Sequence, residues 1–407
     1  MVQRNTYLEQ LKKWRNEPII KVVTGIRRCG KSTLLKMYQE HLQKEGVADD
    51  QIISINFEDL EYEDLLDYKS LYRYVKERLH PSKMTYVFLD EIQQVENFQK
   101  AVDSLYIQKN VDIHITGSNA YLLSGELATL LSGRYIEIKM LPLSFSEFCE
   151  LKPQDSKDAL FAEYMRNGGL PYVAALENDG DRIDTYLEGI YNTIIIKDIE
   201  ERQRRKETDL NKRKITDIAL LKNISKFLAS SIGNPISVKS IADYITSSGR
   251  KISQNTVDDY VSALTEPYIF YAAERFDVLG KQLLKKNQKI YIVDLGLRRH
   301  LLAREKYDLG FSLENIVYFE LLRRGYSVNV GKVGTTEIDF VARKGEEILY
   351  YQVTASMTEE STFEREMRPL KSINDNYPKT VITLDRFSLG NYEGISVVNA
   401  IDWLLSK

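Results

Sequence analysis

Residues Gly25 to Ser32, inside the run VVTGIRRCGKSTLL, constrain this chain more than any other stretch. They fit G-x-x-x-x-G-K-[ST] at every fixed position. The apolar Ile20, Val22 and Val23 ahead of them predict a buried strand, and the amphipathic run from Lys31 to Gln43 predicts a helix. That setting separates a phosphate-binding loop from a Gly-rich turn. Glycines let the backbone curl so that successive N–H groups face one phosphate chain, and the helix N-terminus adds its partial positive charge. The expected cradle for ATP is therefore Gly25, Ile26, Arg27, Arg28, Cys29, Gly30, Lys31, Ser32 and Thr33. Lys31 can reach the β- and γ-phosphates, and the Ser32 hydroxyl can hold Mg²⁺.

A second run, Thr85-Tyr86-Val87-Phe88-Leu89-Asp90-Glu91, places two carboxylates after an apolar strand. This is the Walker B pattern, a buried parallel strand delivering acids at its C-terminal end. Asp90 is the expected second Mg²⁺ ligand, and Glu91 the residue that orients and activates the attacking water. A third strand, from Val111, ends in the polar residues Thr116, Ser118 and Asn119.

Composition narrows the class. At 407 residues the chain predicts about two to four domains. A hydrophobic fraction of 43% and a charged fraction of 28% are those of a soluble globular protein. The net charge of −3 gives no global basic field demanding nucleic acid, although local basic patches are compatible with it. Two cysteines, Cys29 and Cys149, argue against a disulfide framework or a structural zinc site. The N-terminal MVQRNTYLEQLKKW lacks an apolar core segment, and no apolar run of about 18 residues occurs. A cytoplasmic protein without a membrane partner is expected by elimination.

Taken together, GIRRCGKST, YVFLDEIQQV and ITGSNAYLLSGELATLLSGRYIEIKMLPLSFSEF resemble the prokaryotic AAA-family (AAA+, P-loop) ATPases that carry a C-terminal domain of unknown function. The resemblance runs along almost the whole chain. It implies that Ser118 or Asn119, with Thr116 in second place, touches the γ-phosphate or the water. The bare residues also read as a strand-ending turn. It further implies that Arg134 can serve the γ-phosphate of a neighbouring subunit, a role that needs a homo-oligomer. An ordinary ion pair, for instance with Glu137, is the alternative. Gly169-Leu170-Pro171 fits both the Gly-x-Pro of a helical lid and a plain helix-to-helix turn.

The rest of the chain divides by pattern. Leu122 to Leu131 and Asp181 to Ile199 read as helices. The mixed charge run that follows the second holds Arg202, Arg204, Arg205, Lys212, Arg213 and Lys214, either a solvated face or contacts to a phosphate backbone. Three short helices, Leu220–Ser230, Ser237–Ile245 and Ser253–Leu264, precede a possible strand pair, the arrangement of a winged helix. Its third helix carries two acids and no arginine over Ser253 to Asp259, flanked by Arg250, Lys251, Lys281, Lys285 and Lys286. DNA and a protein partner both remain open for it. Further on, a helix with Glu314 and strands with Asp339 and Gln352 resemble the PD-(D/E)XK nuclease fold. That resemblance places Mg²⁺ on the acids and a lysine where Thr354 stands. Threonine carries no charge, so a catalytically degenerate domain is expected. The predicted architecture is α/β: a P-loop AAA+ core over residues 1–145, a helical lid and charged connector over 146–214, a winged helix over 215–280, and a nuclease-like α/β domain over 281–407. The expected ligands are ATP or ADP with Mg²⁺. DNA-coupled action, a nucleotide-gated protein switch and an active Mg²⁺-dependent nuclease compete as the output.

Overall fold

The computed structural model describes residues 2–120, 131, 133–153, 155–176, 179–194, 217–302 and 308–406. Outside them lie the helix read over Leu122 to Leu131 (Leu131 excepted), the end of the helix read to Ile199, and the charge run from Glu200 to Lys214. The side chains of Lys285 and Lys286 are also outside the description. Two compact units form: Met1–Pro142 with Glu266–Tyr268, and Leu143–Thr265 with Ile269–Lys407.

The first unit is a parallel sheet of β1 (Ile20–Thr24), β2 (Ile52–Asn56), β3 (Thr85–Asp90), β4 (Val111–Gly117) and β5 (Tyr135–Lys139). Their order is β2-β3-β4-β1-β5, and every neighbouring pair is parallel. β1 and β3 are buried along their whole length, as strands covered on both faces must be. Helices α1 (Asn5–Lys13), α2 (Lys31–Lys44), α3 (Tyr68–Glu77) and α4 (Phe98–Tyr106) accompany the sheet. One apolar core joins Val22, Val87, Leu89 and Ile115 of the strands to Leu71, Val75, Val102 and Leu105 of α3 and α4. The strand order has a functional consequence. β4 lies between β1 and β3, so its polar end falls between the phosphate loop and the two carboxylates.

Glu266–Tyr268 enters this unit from far along the chain. Ala120 N donates to Glu266 O at 2.7 Å, and the Tyr268 hydroxyl donates to Glu137 Oε1 at 3.3 Å. The same Glu137 oxygen accepts from Thr24 Oγ1 at 2.7 Å, at the mouth of the loop.

The second unit opens with helices α5 (Phe145–Leu151), α6 (Lys157–Asn167), α7 (Pro171–Ala175) and α8 (Gly180–Thr193). Then come α9 (Ile218–Ser230), β6 (Pro235–Ile236), α10 (Val238–Ser247), α11 (Gln254–Thr265), β7 (Phe270–Asp277) and β8 (Gln282–Ile292). Ser237 caps α10 by accepting from Ser240 N at 3.0 Å. Next are α12 (Leu295–Leu301), α13 (Leu309–Arg323), β9 (Ser327–Val333), β10 (Thr336–Lys344), β11 (Glu347–Thr354) and α14 (Glu360–Lys371). β12 (Lys379–Thr383), β13 (Gly390–Tyr392), β14 (Ile395–Asn399) and α15 (Ala400–Leu405) close the chain.

Here the structure joins what the sequence reading separates at residues 280 and 281. That boundary falls in the turn of the β7–β8 hairpin, whose strands pair from Phe270↔Ile292 to Asp277↔Gln282. β7 then pairs in parallel with β9, giving one sheet ordered β13-β14-β12-β11-β10-β9-β7-β8-β6. An isolated hairpin would leave a row of unpaired backbone groups, and β9 covers that edge. Periodicity marks strands but not their partners, so the continuation was invisible in the sequence.

Candidate nucleotide site

The loop after β1 is shaped by backbone that side chains tolerate poorly. Gly25 has φ +148°, and a Cβ there would lie 2.1 Å from Met140 O. Gly30, with φ +105°, ends the loop at the first turn of α2. Between them Ile26 and Cys29 are buried, Arg28 is exposed at φ +67°, and Arg27 Nη1 donates to Glu58 Oε1 at 3.1 Å. Burial pushes the Cys29 thiol above its ordinary pKa, so this cysteine is packing rather than a nucleophile. Ser32 and Thr33 occupy the first turn of α2, with Ser32 exposed.

Lys31 is buried and points back into the loop. Its ammonium donates to Gly25 O at 3.1 Å, Ile26 O at 3.4 Å and Ser118 Oγ at 3.0 Å, and lies 3.5 Å from Glu91 Oε1. Ser118 in turn donates to the Glu91 carboxylate, 2.7 Å from Oε1 and 2.9 Å from Oε2. Lysine, serine and glutamate from three elements therefore meet at one point. Asn119 follows Ser118 and is buried at the strand end.

Asp90 and Glu91 are adjacent, both buried, and titrate in opposite directions. Burial raises the Asp90 carboxyl above its usual range despite hydrogen bonds from Ser32 and Thr116. Burial pushes Glu91 upward too, but Lys31, Ser118, Arg27 and Gln93 outweigh it and hold the group below its usual range. Glu91 is thus kept as a carboxylate. Its backbone is left-handed at φ +53°, a conformation that costs a non-glycine residue roughly 1–2 kcal/mol. Thr116 holds it there: its Oγ1 accepts from Glu91 N at 2.9 Å and donates to Asp90. Thr116 near the end of β4 and Ser118 just beyond it, two residues apart, both reach Glu91.

Several placements depart from expectation. Arg134 pairs with Asp103 of α4 and sits over the Tyr106 ring, rather than meeting Glu137. It precedes β5, whose Tyr135 pairs with Ile20 at the start of β1. It is therefore separated from its own phosphate loop by the length of β1, about 16 Å. Arg4 was missed altogether. Its buried guanidinium donates to Cys29 O at 3.0 Å and Leu141 O at 2.6 Å, tying the loop to the segment after β5. Nothing in the sequence distinguishes this arginine from its neighbours.

In the second unit, Gly169 N donates to the buried Asp294 carboxylate at 2.7 Å, while Leu143 N donates to Gly169 O at 2.7 Å. Pro171 begins α7, so Gly169-Leu170-Pro171 is a helix-to-helix turn fastened on both sides. Glu314, Asp339 and Gln352 come together from α13, β10 and β11, lining an open cleft of about 840 Å³ with Glu337, Glu366 and Thr354. Burial pushes the carboxyls of Glu314 and Asp339 upward. Lys289, which sequence reading left unassigned, reaches this cluster from β8.

A parallel β2-β3-β4-β1-β5 sheet whose first strand feeds a phosphate loop, with buried acids ending β3, defines a P-loop AAA domain. The family profile described as an AAA domain matches residues 17–149, and a domain of unknown function (DUF8612) matches residues 158–308. An uncharacterized protein of Haemophilus influenzae is 42% identical over 410 residues, covering 100% of this chain and 99% of that protein. The uncharacterized protein MJ1544 of Methanocaldococcus jannaschii is 31% identical over 377 residues, covering 88% of this chain and 79% of its own length. The chain belongs to the family of these two proteins, and its residues 17–149 form an AAA domain. Among solved structures, the Walker-type ATPase PABY2304 of Pyrococcus abyssi shares the fold at a TM-score of 0.50 and 16% identity, over 74% of this chain and 96% of that one. No helix among the described residues is long and apolar enough to cross a membrane.

Proposed function

We propose that the protein binds ATP in the loop from Gly25 to Thr33 and hydrolyses it with Mg²⁺. The observation that carries this reading is the convergence of Lys31, Ser118 and Glu91 beside a loop whose Gly25 has no room for a Cβ. Lys31 then binds the β- and γ-phosphates. Glu91, kept ionised, accepts a proton from the attacking water while Ser118 and Asn119 fix its position. Thr116 acts through Asp90 and Glu91 and positions both. The donor set fits the metal, a hydroxyl and a carboxylate already hydrogen-bonded to each other: Ser32 and Asp90 would hold Mg²⁺, which supplies charge neutralisation at the phosphates. Arg134, too far from its own loop, serves the site of another copy.

The output module on this reading is the segment from α9 to β8, a helix, strand, two helices and a hairpin in the order of a winged helix, joined to a nuclease-like sheet that no longer cleaves. It acts on, or is regulated by, DNA or a protein partner. One observation favours the protein partner: α11 presents Gln254, Asn255 and Asp258 to solvent and carries no arginine. A phosphate backbone meets a poor surface there. Phosphate release with and without duplex DNA, beside size-exclusion chromatography, tests the scheme. Lys31→Ala is expected to abolish nucleotide binding, and Arg134→Ala to slow turnover only where copies assemble. Unchanged ATPase activity in Lys31→Ala sinks the ATPase reading. Turnover rising tenfold with DNA overturns the preference for a protein partner, and Mg²⁺-dependent nicking lost in Asp339→Ala would restore the nuclease.

A further inference from the structure

The acid cluster of the second unit has the composition of a divalent-cation site, and the nuclease-like resemblance implies Mg²⁺ there. The residues do not fit that ion. Lys289 Nζ stands 2.9 Å from Glu314 Oε1, 3.0 Å from Glu337 Oε1 and 3.4 Å from Asp339 Oδ1, at the point where the three carboxylates converge. Each of these carboxylates has a further protein donor or cation beside it. Glu314 Oε1 also accepts from the Tyr291 hydroxyl at 2.6 Å, and Asp339 Oδ2 accepts from Val353 N at 2.9 Å. Glu337 lies 3.5 Å from Arg275 Nη2, and Glu366 is taken by Arg365 and by Gln352 Nε2 at 2.9 Å. A metal bound about 2.1 Å from these oxygens would sit against a fixed ammonium, two like charges competing for the same lone pairs.

We infer that Lys289 is the resident cation of this cleft, and that the cleft takes a divalent metal only when that ammonium is removed. The arrangement follows from β8. Lys289 and Tyr291, two residues apart, face the same side of the strand and both meet Glu314 from α13. Lys289 thereby fastens the β7–β8 hairpin to the helix and to β10 with one charge. The same ammonium supplies the positive charge that a centre of buried carboxylates requires. The inference is independent of the ATPase reading, because Lys289 and its partners all lie in the second unit.

Mn²⁺ titration of the full chain, followed by the paramagnetic resonance signal of the free ion, tests it in an Asp90→Asn background that removes the loop's carboxylate. With Lys289 present, no Mn²⁺ binding that depends on Asp339 is expected. Adding Lys289→Ala, or the longer neutral Lys289→Gln if alanine impairs folding by circular dichroism, should raise Mn²⁺ affinity at least tenfold. Asp339→Asn should then remove the gain. Mn²⁺ bound with Lys289 in place and lost in Asp339→Asn overturns the inference, as does a folded Lys289 variant that gains nothing. If neither variant folds, the Lys289-containing protein decides: Asp339-dependent binding refutes the proposal, and its absence supports it.

Discussion

Replacing Glu91 by glutamine separates two effects that the geometry ties together. In the described structure the carboxylate lies 3.5 Å from Lys31 Nζ and accepts two contacts from Ser118. At an effective dielectric of 20 the lysine–glutamate attraction is about 5 kcal/mol before desolvation is subtracted. Nucleotide phosphates must draw Lys31 out of that pair. The carboxamide keeps an acceptor for Ser118 but no charge for Lys31, so part of the attraction no longer opposes binding. If about a quarter of it survives desolvation, ATP should bind roughly tenfold tighter. Turnover should move the other way. An amide does not take up the water's proton, and loss of a general base lowers kcat by roughly 10²–10⁴. A fluorescent ATP analogue reads affinity, phosphate release reads turnover, and circular dichroism confirms folding. Turnover within threefold of the wild type, or tenfold weaker binding, refutes the assignment of Glu91.

Three further outcomes follow from the coordinates of the first unit. Gly25→Ala places a methyl 2.1 Å from Met140 O in a left-handed conformation, so it should cost several kcal/mol and abolish nucleotide binding; thermal melting checks the first and the fluorescent titration the second. Burial holds the His114 imidazole down at about 4 from an ordinary 6.5. Between those values the unfolded chain binds the proton and the folded chain does not, so stability is present above pH 6.5 and is lost as pH falls toward 4. The loss is about 1.4 kcal/mol at pH 5.5 and about 3 kcal/mol at pH 4; urea midpoints should show it, and His114→Phe should remove that part of the slope. Thr116→Val keeps the shape of β4 but removes the donor to Asp90 and the acceptor for Glu91 N. It should destabilise by about 1–3 kcal/mol and lower turnover more than ATP affinity, which steady-state kinetics resolves.

What could be read in the sequence was whatever local spacing encodes. The glycine loop announces itself because Gly25, Gly30, Lys31 and Ser32 must sit at fixed separations on one turn. The acids ending β3 announce themselves because an apolar buried strand carries carboxylates only at its end. Ser118, Asn119 and Thr116 were visible as a polar strand end. Ranking them required knowing that β4 lies between β1 and β3, a long-range pairing no window of sequence contains. Arg4 and Lys289 were lost for a related reason. Each reaches its partners from elsewhere in the fold, Arg4 to a segment after β5 and Lys289 from β8 to α13 and β10. The sequence reading looked for a lysine at Thr354 and had no means of seeing that Lys289 of β8 meets the same acids.

The short insert Glu266–Tyr268 has a consequence for how the protein is made. The first unit needs those residues for the partner of Ala120 N and for the second donor to Glu137. They emerge from the ribosome well over a hundred residues after Pro142. At roughly 5–20 residues per second, the nascent sheet waits about 6–25 s with the end of β4 and the mouth of the phosphate loop unfinished. During that interval the unit is one hydrogen-bonded clasp short of its final form. Synthesis through α11 therefore sets the earliest moment at which Ala120 N and Glu137 gain these partners.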